Sequence, residues 1–346
     1  MSSTTTPASA VPASELVPAH VVEDLQGIFQ LLSDGTVKRV QMPLVLPGDA
    51  SEPSPDAPAP VRWKDVVYDE THNLSLRVFV PPLAGAEKLP VIVYFHGGGF
   101  VINSFASPEF HAACLRLAGE LPAVVLSVDY RLAPEHRLPA AHDDADAFFS
   151  WLRAQAAATT DLWLAESADF GRVFVSGDSA GGNIAHHAIV RIGSGALATG
   201  AARVAGCILL YPFFGGEQRT ASEAAGSNDI YLTLPVSDQM WRLALPAGAS
   251  RDHPLANPFG PDSPALDSVA LPPLLVVAGT RDLLVDRIKD YVARLNATGK
   301  KRAEFVEFPG KGHAFFSVEH DGEVTGEMIR DVLRPFVHGG AAAPAS

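Results

Sequence analysis

RVFVSGDSAGG, residues 172–182, is the stretch from which the rest of the chain can be read. Its first half is short and rich in Val and Phe, as a buried strand is, and 183–189 reads as helix. Ser179 therefore falls on the turn between them, inside Gly177, Asp178, Ser179, Ala180, Gly181, a G-x-S-x-G pentapeptide. So sharp a reversal strains the serine backbone and needs flanking positions without side chains, which Gly177 and Gly181 supply. The hydroxyl is carried out over the end of a sheet. The next amide, that of Ala180, lies at a helix N-terminus, where free N–H groups and the helix dipole favour developing negative charge. Alone, the pentapeptide also fits a glycine-rich turn with an incidental serine, so its surroundings must carry the argument.

Upstream, VRWKDVVYD (61–69) and LSLRVFVP (74–81) alternate like antiparallel strands, and LPVIVYFHGGGF (89–100) begins as a buried strand. It ends in the turn His96, Gly97, Gly98, Gly99, whose adjacent amides have no side chains in the way. Such a turn can point N–H groups at an oxyanion, a preorganised electrostatic contribution to acyl transfer. It can also be a plain loop. The chain beyond the turn favours the oxyanion reading: a helix at 109–120, a strand at 123–128, a helix at 141–154, and then the strand, turn and helix around Ser179. CILLYPFF (207–214), LLVVAG (274–279), a helix at 287–297 and AEFVEF (303–308) complete the alternation. The pattern predicts an α/β fold with a mainly parallel central sheet flanked by helices. Ligands in such sheets bind at the carboxyl ends of the strands. Between about 215 and 271 the alternation gives way to Pro-, Gly- and Asn-rich chain around one helix, 237–245, which reads as a cap insertion beside the serine.

A serine is a weak nucleophile until a base takes its proton, and the base needs a third group to fix its tautomer. Asp282 lies just past the strand 274–279, and His313 just past 303–308 in the loop GKGHAFF. Both are thus at carboxyl ends, in the chain order Ser, acid, His. Asp286 is the competing acid, with capping or pairing as its other role. His186 and His187 have no companion ligand at metal spacing and read as surface or packed histidines, so no metal is implied. No cofactor is implied either. Phe29, Phe100, Phe214, Trp241 and Phe315 lie in or beside segments expected over the site and are candidate pocket walls, or ordinary core.

The 346 residues, 47% apolar and 19% charged, are an ordinary globular composition. A net charge of −13 and the lack of a basic patch argue against nucleic acid or an anionic membrane surface as partner. No apolar run approaches the ~20 residues that span a bilayer. Cys114 and Cys207, in a helix and a strand, read as reduced buried thiols, and the expected location is cytoplasmic, which leaves the sequons at Asn73 and Asn296 unglycosylated. Residues 1–20 and 339–346 read as disordered tails. Between them, 21–60 is expected to hold an amphipathic helix, with Leu25, Ile28, Phe29 and Leu32 at helical spacing, followed by the linker LPGDASEPSPDAPAP at 46–60. That helix is either a lid or a piece packed on the outside. The main domain spans 61–338.

HGGGF (96–100), DYRLAPEHRLPAA (129–141) and GDSAGGN (177–183) resemble the hormone-sensitive-lipase branch of the α/β-hydrolases, in particular its plant carboxylesterases. The likeness runs from near Val61 to the last helix. It implies an oxyanion hole from the amides of Gly98, Gly99 and Ala180, and a serine carboxylesterase acting on a small, largely apolar ester. GIFQLLSDGTVKR (27–39), FFGGEQRT (213–220) and RDHPLANPFGPDSP (251–264) resemble further the clade with strigolactone-hydrolysing members. Two relatives of other function differ at decisive positions. The gibberellin receptors, which bind a small molecule without catalysis, resemble this chain but have serine at the position of Gly99 and a non-titratable residue at that of His313. Isoflavanone dehydratases have threonine at that of Ser179.

Overall fold

The computed structural model describes residues 18–40, 44, 60–82, 85, 87–226, 229, 231–297, 299 and 303–339. Most of the two tails and all of the linker except Pro60 lie outside these residues. The chain divides into two compact units, Met1–Gln41 and Met42–Ser346.

The first unit corrects an expectation. Where a helix was expected there is an antiparallel sheet of β1 (Val21–Leu25), β2 (Phe29–Leu32) and β3 (Val37–Arg39), in that order. The reason lies in the turns. Gln26 and Gly27 both have positive φ, 51° and 74°, which reverses the chain in two residues as a primed turn does. The Ile28 amide donates to the Leu25 carbonyl across it, and the Asp24 carboxylate accepts the Gly27 amide. Two left-handed residues are incompatible with a helix, and the helical spacing of Leu25, Ile28, Phe29 and Leu32 arises from inserting a turn between two alternating segments.

The second unit holds β4 (Arg62–Asp69), β5 (Leu74–Val80), β6 (Leu89–Phe95), α1 (Pro108–Glu120), β7 (Val124–Val128), α2 (Ala140–Ala157), α3 (Leu162–Ser167), β8 (Ala168–Asp178) and α4 (Ala180–Gly193). There follow β9 (Val204–Leu210), α5 (Ala221–Ala225), α6 (Leu234–Ala244), β10 (Leu274–Gly279), α7 (Val285–Ala297), β11 (Ala303–Phe308), α8 (Phe315–Val318), α9 (Glu323–Glu327), a π-helical turn (Met328–Leu333) and α10 (Arg334–His338). One eight-stranded sheet runs β11-β10-β9-β8-β6-β7-β5-β4. The pairs from β7 through β11 are parallel, and only β5 and β4 run against their neighbours.

Every residue of β7 and β10 is buried. Successive strand residues face opposite sides, so helices must cover both faces, and the continuous apolar runs read from the sequence have this cause. Burying each Val or Leu contributes about 2 kcal/mol, which makes these central strands the stable floor on which the loops at their carboxyl ends are mounted. β8 is longer than the 172–176 expected, because its first residues pair with Leu89 and Pro90 before a register shift. The cap insertion leaves after β9 and returns before β10, carrying α5 and α6.

Candidate active site

Ser179 sits between the last residue of β8 and the first of α4, with φ 51° and ψ −115°. A non-glycine residue held in the left-handed half of φ space costs on the order of 1–3 kcal/mol and persists only where its surroundings over-determine it. Here they do. The Ser179 amide donates to Leu210 O at 2.9 Å, and its carbonyl accepts the amides of Phe213 (2.8 Å) and Asn183 (3.1 Å). The turn is also tight: a Cβ on Gly181 would stand 1.9 Å from the Phe95 carbonyl oxygen, so only glycine lets α4 start this close to β6.

His313 Nε2 lies 2.8 Å from Ser179 Oγ, and His313 Nδ1 lies 3.1 and 3.0 Å from the two oxygens of Asp282. A carboxylate facing Nδ1 makes that nitrogen the N–H donor, which leaves Nε2 unprotonated and ready to accept from the serine hydroxyl. Asp282 and His313 are 2% and 5% exposed, so both are shielded from water. Burial alone would lower the His313 pKa, but the Asp282 charge and its hydrogen bond, with Asp229 and Asp178 adding to them, hold it above its ordinary 6.5. Asp286, the competing acid, instead accepts the Ser222 amide at 2.7 Å, at the start of α5.

The turn after β6 is braced from beneath. His96 stacks on Tyr130, rings 4.3 Å apart and 13° from parallel, and the Tyr130 hydroxyl donates to the His96 carbonyl at 2.7 Å. Tyr94 OH donates to Asp178 Oδ1 at 2.8 Å, and burial pushes that carboxyl up to about 6. Gly98 and Gly99 have φ of 117° and 59°, and a Cβ on Gly99 would meet the Met240 sulfur of α6 at 2.1 Å. Among the described residues, the amides of Gly98, Gly99 and Ala180 donate to no protein acceptor. Of the three, Ala180 directly follows Ser179 at the start of α4.

The aromatic residues named from sequence are distributed less simply. Phe100, 1% exposed, packs among His142, Phe213 and Trp241. Trp241 lies flat on Phe213, 4.3 Å apart and 2° from parallel, and Phe315 packs on Tyr211 and Phe308. Phe214 packs on His186 and Tyr291 and lines a cavity of about 450 Å³ whose lining includes none of Ser179, Asp282 and His313. The cations of that cavity are already paired, Arg287 with Glu223, Arg219 with Asp238 and Arg294 with Asp290, so its volume does not mark it as the reactive site. Phe29 belongs to the N-terminal unit, beneath the Arg39 guanidinium. His186 and His187 are packed side chains: His186 Nδ1 meets Tyr291 OH at 2.9 Å, and burial holds both imidazoles neutral, His186 with a pKa of about 3.

Sequence reasoning missed Asp178, Tyr94 and Tyr130 under the glycine turn, Asn183, and Asp229. Asn183 Nδ2 donates to the Phe213 and Leu255 carbonyls, tying α4 to the chain after β9 and to the cap. Asp178 and Asn183 stood inside GDSAGGN and carried a signal of a kind: a carboxylate and a carboxamide flanking an apolar turn must find buried partners.

This strand order, with a serine turn at the carboxyl end of β8, is that of an α/β-hydrolase. A family model described as alpha/beta hydrolase fold matches residues 92–317, and the chain belongs to that family. Probable carboxylesterase 6 of Arabidopsis thaliana is 38% identical over 309 residues, 88% of this chain and 87% of that protein. Tuliposide A-converting enzyme 1, chloroplastic, of Tulipa gesneriana is 33% identical over 329 residues, 94% of this chain and 80% of that one. Among solved structures, an esterase of Pyrobaculum calidifontis superposes with a TM-score of 0.67 at 30% identity, covering 80% of this chain and 84% of its own.

Proposed function

We propose that the protein is a serine carboxylesterase that cleaves a small, largely apolar ester or lactone through an acyl-enzyme. It is a carboxylic ester hydrolase, as the family and its esterase relatives support. The observation that carries the serine mechanism is the chain of hydrogen bonds from Ser179 Oγ through His313 to Asp282. Ser179 attacks the carbonyl carbon as His313 Nε2 takes its proton, while Asp282 stabilises the imidazolium. The amides of Gly98, Gly99 and Ala180 hold the oxyanion. His313 returns the proton to the departing alcohol, and water, activated by the same imidazole, frees the acid. The apolar preference is supported by Met240 at Gly99 and by Tyr211, whose ring lies 5.0 Å from that of His313.

A binding protein of the gibberellin-receptor kind has no need of a histidine aimed at the serine. Within the esterase reading, strigolactone-type lactones and tuliposide A are the two specific candidates, the first from the resemblance of 27–39, 213–220 and 251–264, the second from the tulip relatives. A panel of such esters, competed against one another, separates them. The proposed location is cytoplasmic, consistent with two buried free thiols, whereas the tulip enzyme is described as chloroplastic; imaging a tagged chain distinguishes the two. The test of the mechanism is Ser179→Ala. Hydrolysis of p-nitrophenyl acetate is expected to fall by about 10⁴- to 10⁶-fold in kcat, as when one member of a cooperating set is removed. More than a few per cent residual activity would move the nucleophile elsewhere.

A further inference from the structure

A second carboxylate reaches the histidine from outside the Ser, His, Asp set. Asp229 lies in the cap insertion between α5 and α6, and its Oδ2 accepts the backbone N–H of His313, 84 residues away in sequence. Its other oxygen accepts the Tyr231 amide at 2.8 Å, so one oxygen holds the cap and the other holds the loop after β11. The carboxylate is 7% exposed. Room for it is made by Gly312, where a Cβ would lie 2.4 Å from Asp229 Oδ2. Gly312 is not among the residues of positive φ, so space, and not backbone conformation, is what requires glycine there.

We propose that Asp229 is a positioning residue for His313, by which the cap holds the loop carrying the base and adds a second negative charge behind the imidazolium. The proposal rests on the reading of His313 as the base. Ala314, immediately after it, has φ 63°, so the loop leaves the histidine through a left-handed residue, a conformation that persists only where its surroundings fix it. A hydrogen bond to a full charge at the preceding amide is the stronger kind, and here it is buried. The other groups facing His313 are Asp282 at Nδ1, Asp178 beneath the serine turn and the ring of Tyr211. Lys311, the cation in this loop, is paired with Glu319. The same cap carries Met240 against Gly99, so Asp229 links the placement of that wall to the placement of the base.

The test uses the full chain with p-nitrophenyl acetate. Asp229→Asn leaves one acceptor oxygen for two N–H donors and so loosens the loop. A displacement of the base by about 1 Å costs ~100-fold, and the loss is expected in kcat with KM little changed. With one negative charge gone the imidazolium is less favoured, so the acid limb of kcat/KM moves to lower pH, as does the His313 ring titration followed by NMR. Gly312→Ala should reproduce both effects in the presence of Asp229 and add almost nothing to Asp229→Ala. The proposal is overturned if Asp229→Asn keeps wild-type kcat and acid limb, if melting falls while the limb and ring titration stay put, or if the Gly312 and Asp229 losses multiply. A wild-type chain that fails to hydrolyse the ester overturns the serine-esterase reading instead, and the ring titration then decides Asp229 by itself.

Discussion

At the scale of the residue, the site works by placing one imidazole where three carboxylates feel it. Asp282 touches Nδ1, Asp229 touches the backbone amide and Asp178 lies beneath the serine turn. Their combined field outweighs burial, so His313 binds its proton more tightly than an ordinary histidine with pKa 6.5. The base acts only when neutral. Activity should therefore be lost as pH falls through a value above 6.5, and the limb belongs to the whole cluster because burial also pushes the neighbouring Asp178 carboxyl up to about 6. In Asp282→Asn the largest opposing charge is gone, so the limb should move down, and kcat should drop by ~10⁴ because the tautomer is no longer fixed. A kcat/KM profile from pH 4 to 9 in both proteins checks this; an unmoved limb would exclude Asp282 as the partner.

At the scale of the element, one arginine gathers several of the contacts between the cap and the body. Arg287 of α7 makes a two-pronged pair with Glu223 of α5 and also donates to the carbonyls of Gly215, Gly216 and Gln218. Glu223 is 3% exposed and closes its own helix as a capping box with Thr220. Removing the guanidinium strands a buried carboxylate and three carbonyls at once. Arg287→Ala is expected to destabilise by about 3–5 kcal/mol. Arg287→Lys should recover little, because a point charge cannot satisfy five acceptors set in a fork. Thermal melting, with esterase activity read alongside, checks the pair of variants; a lysine variant melting with wild type would show that charge alone holds the segment.

At the scale of the whole molecule, three buried histidines and the half-buried His111 fold neutral. Burial lowers His142 and His111 to about 4 and His186 to about 3, and it lowers His187 as well. Above pH 6.5 neither state protonates them, and they carry no penalty. As pH falls below that value the unfolded chain gains protons that the folded one refuses, so stability declines toward pH 4. Asp178, raised to about 6 by burial, and Asp146, also raised by burial, act in the opposite sense toward their ordinary 3.8, and His313 does so above 6.5, but the four histidines outnumber them in the window from 6.5 down to 4. Urea midpoints measured from pH 7 to 4.5 should fall steadily; a flat profile would mean these rings are already protonated in the fold.

The G-x-S-x-G turn, the strand–helix alternation and the positions of Asp282 and His313 after their strands were legible in the sequence. Each is written in neighbouring residues: glycines that clear a turn, apolar runs of strand length, an acid and a base one loop past a strand. The N-terminal sheet was not legible in this way, since Leu25, Ile28, Phe29 and Leu32 satisfy a helical spacing until the left-handed pair Gln26 and Gly27 resets the phase. Nor was the partner of the His313 amide, because Asp229 comes to it through the path of the cap, across 84 residues that no local pattern connects. The places of Phe100, Phe214, Trp241 and Phe315 in the chain do not say what each ring touches, which depends on how helices and loops from distant segments stack, and a close-packed interior decides that only when all of them are present.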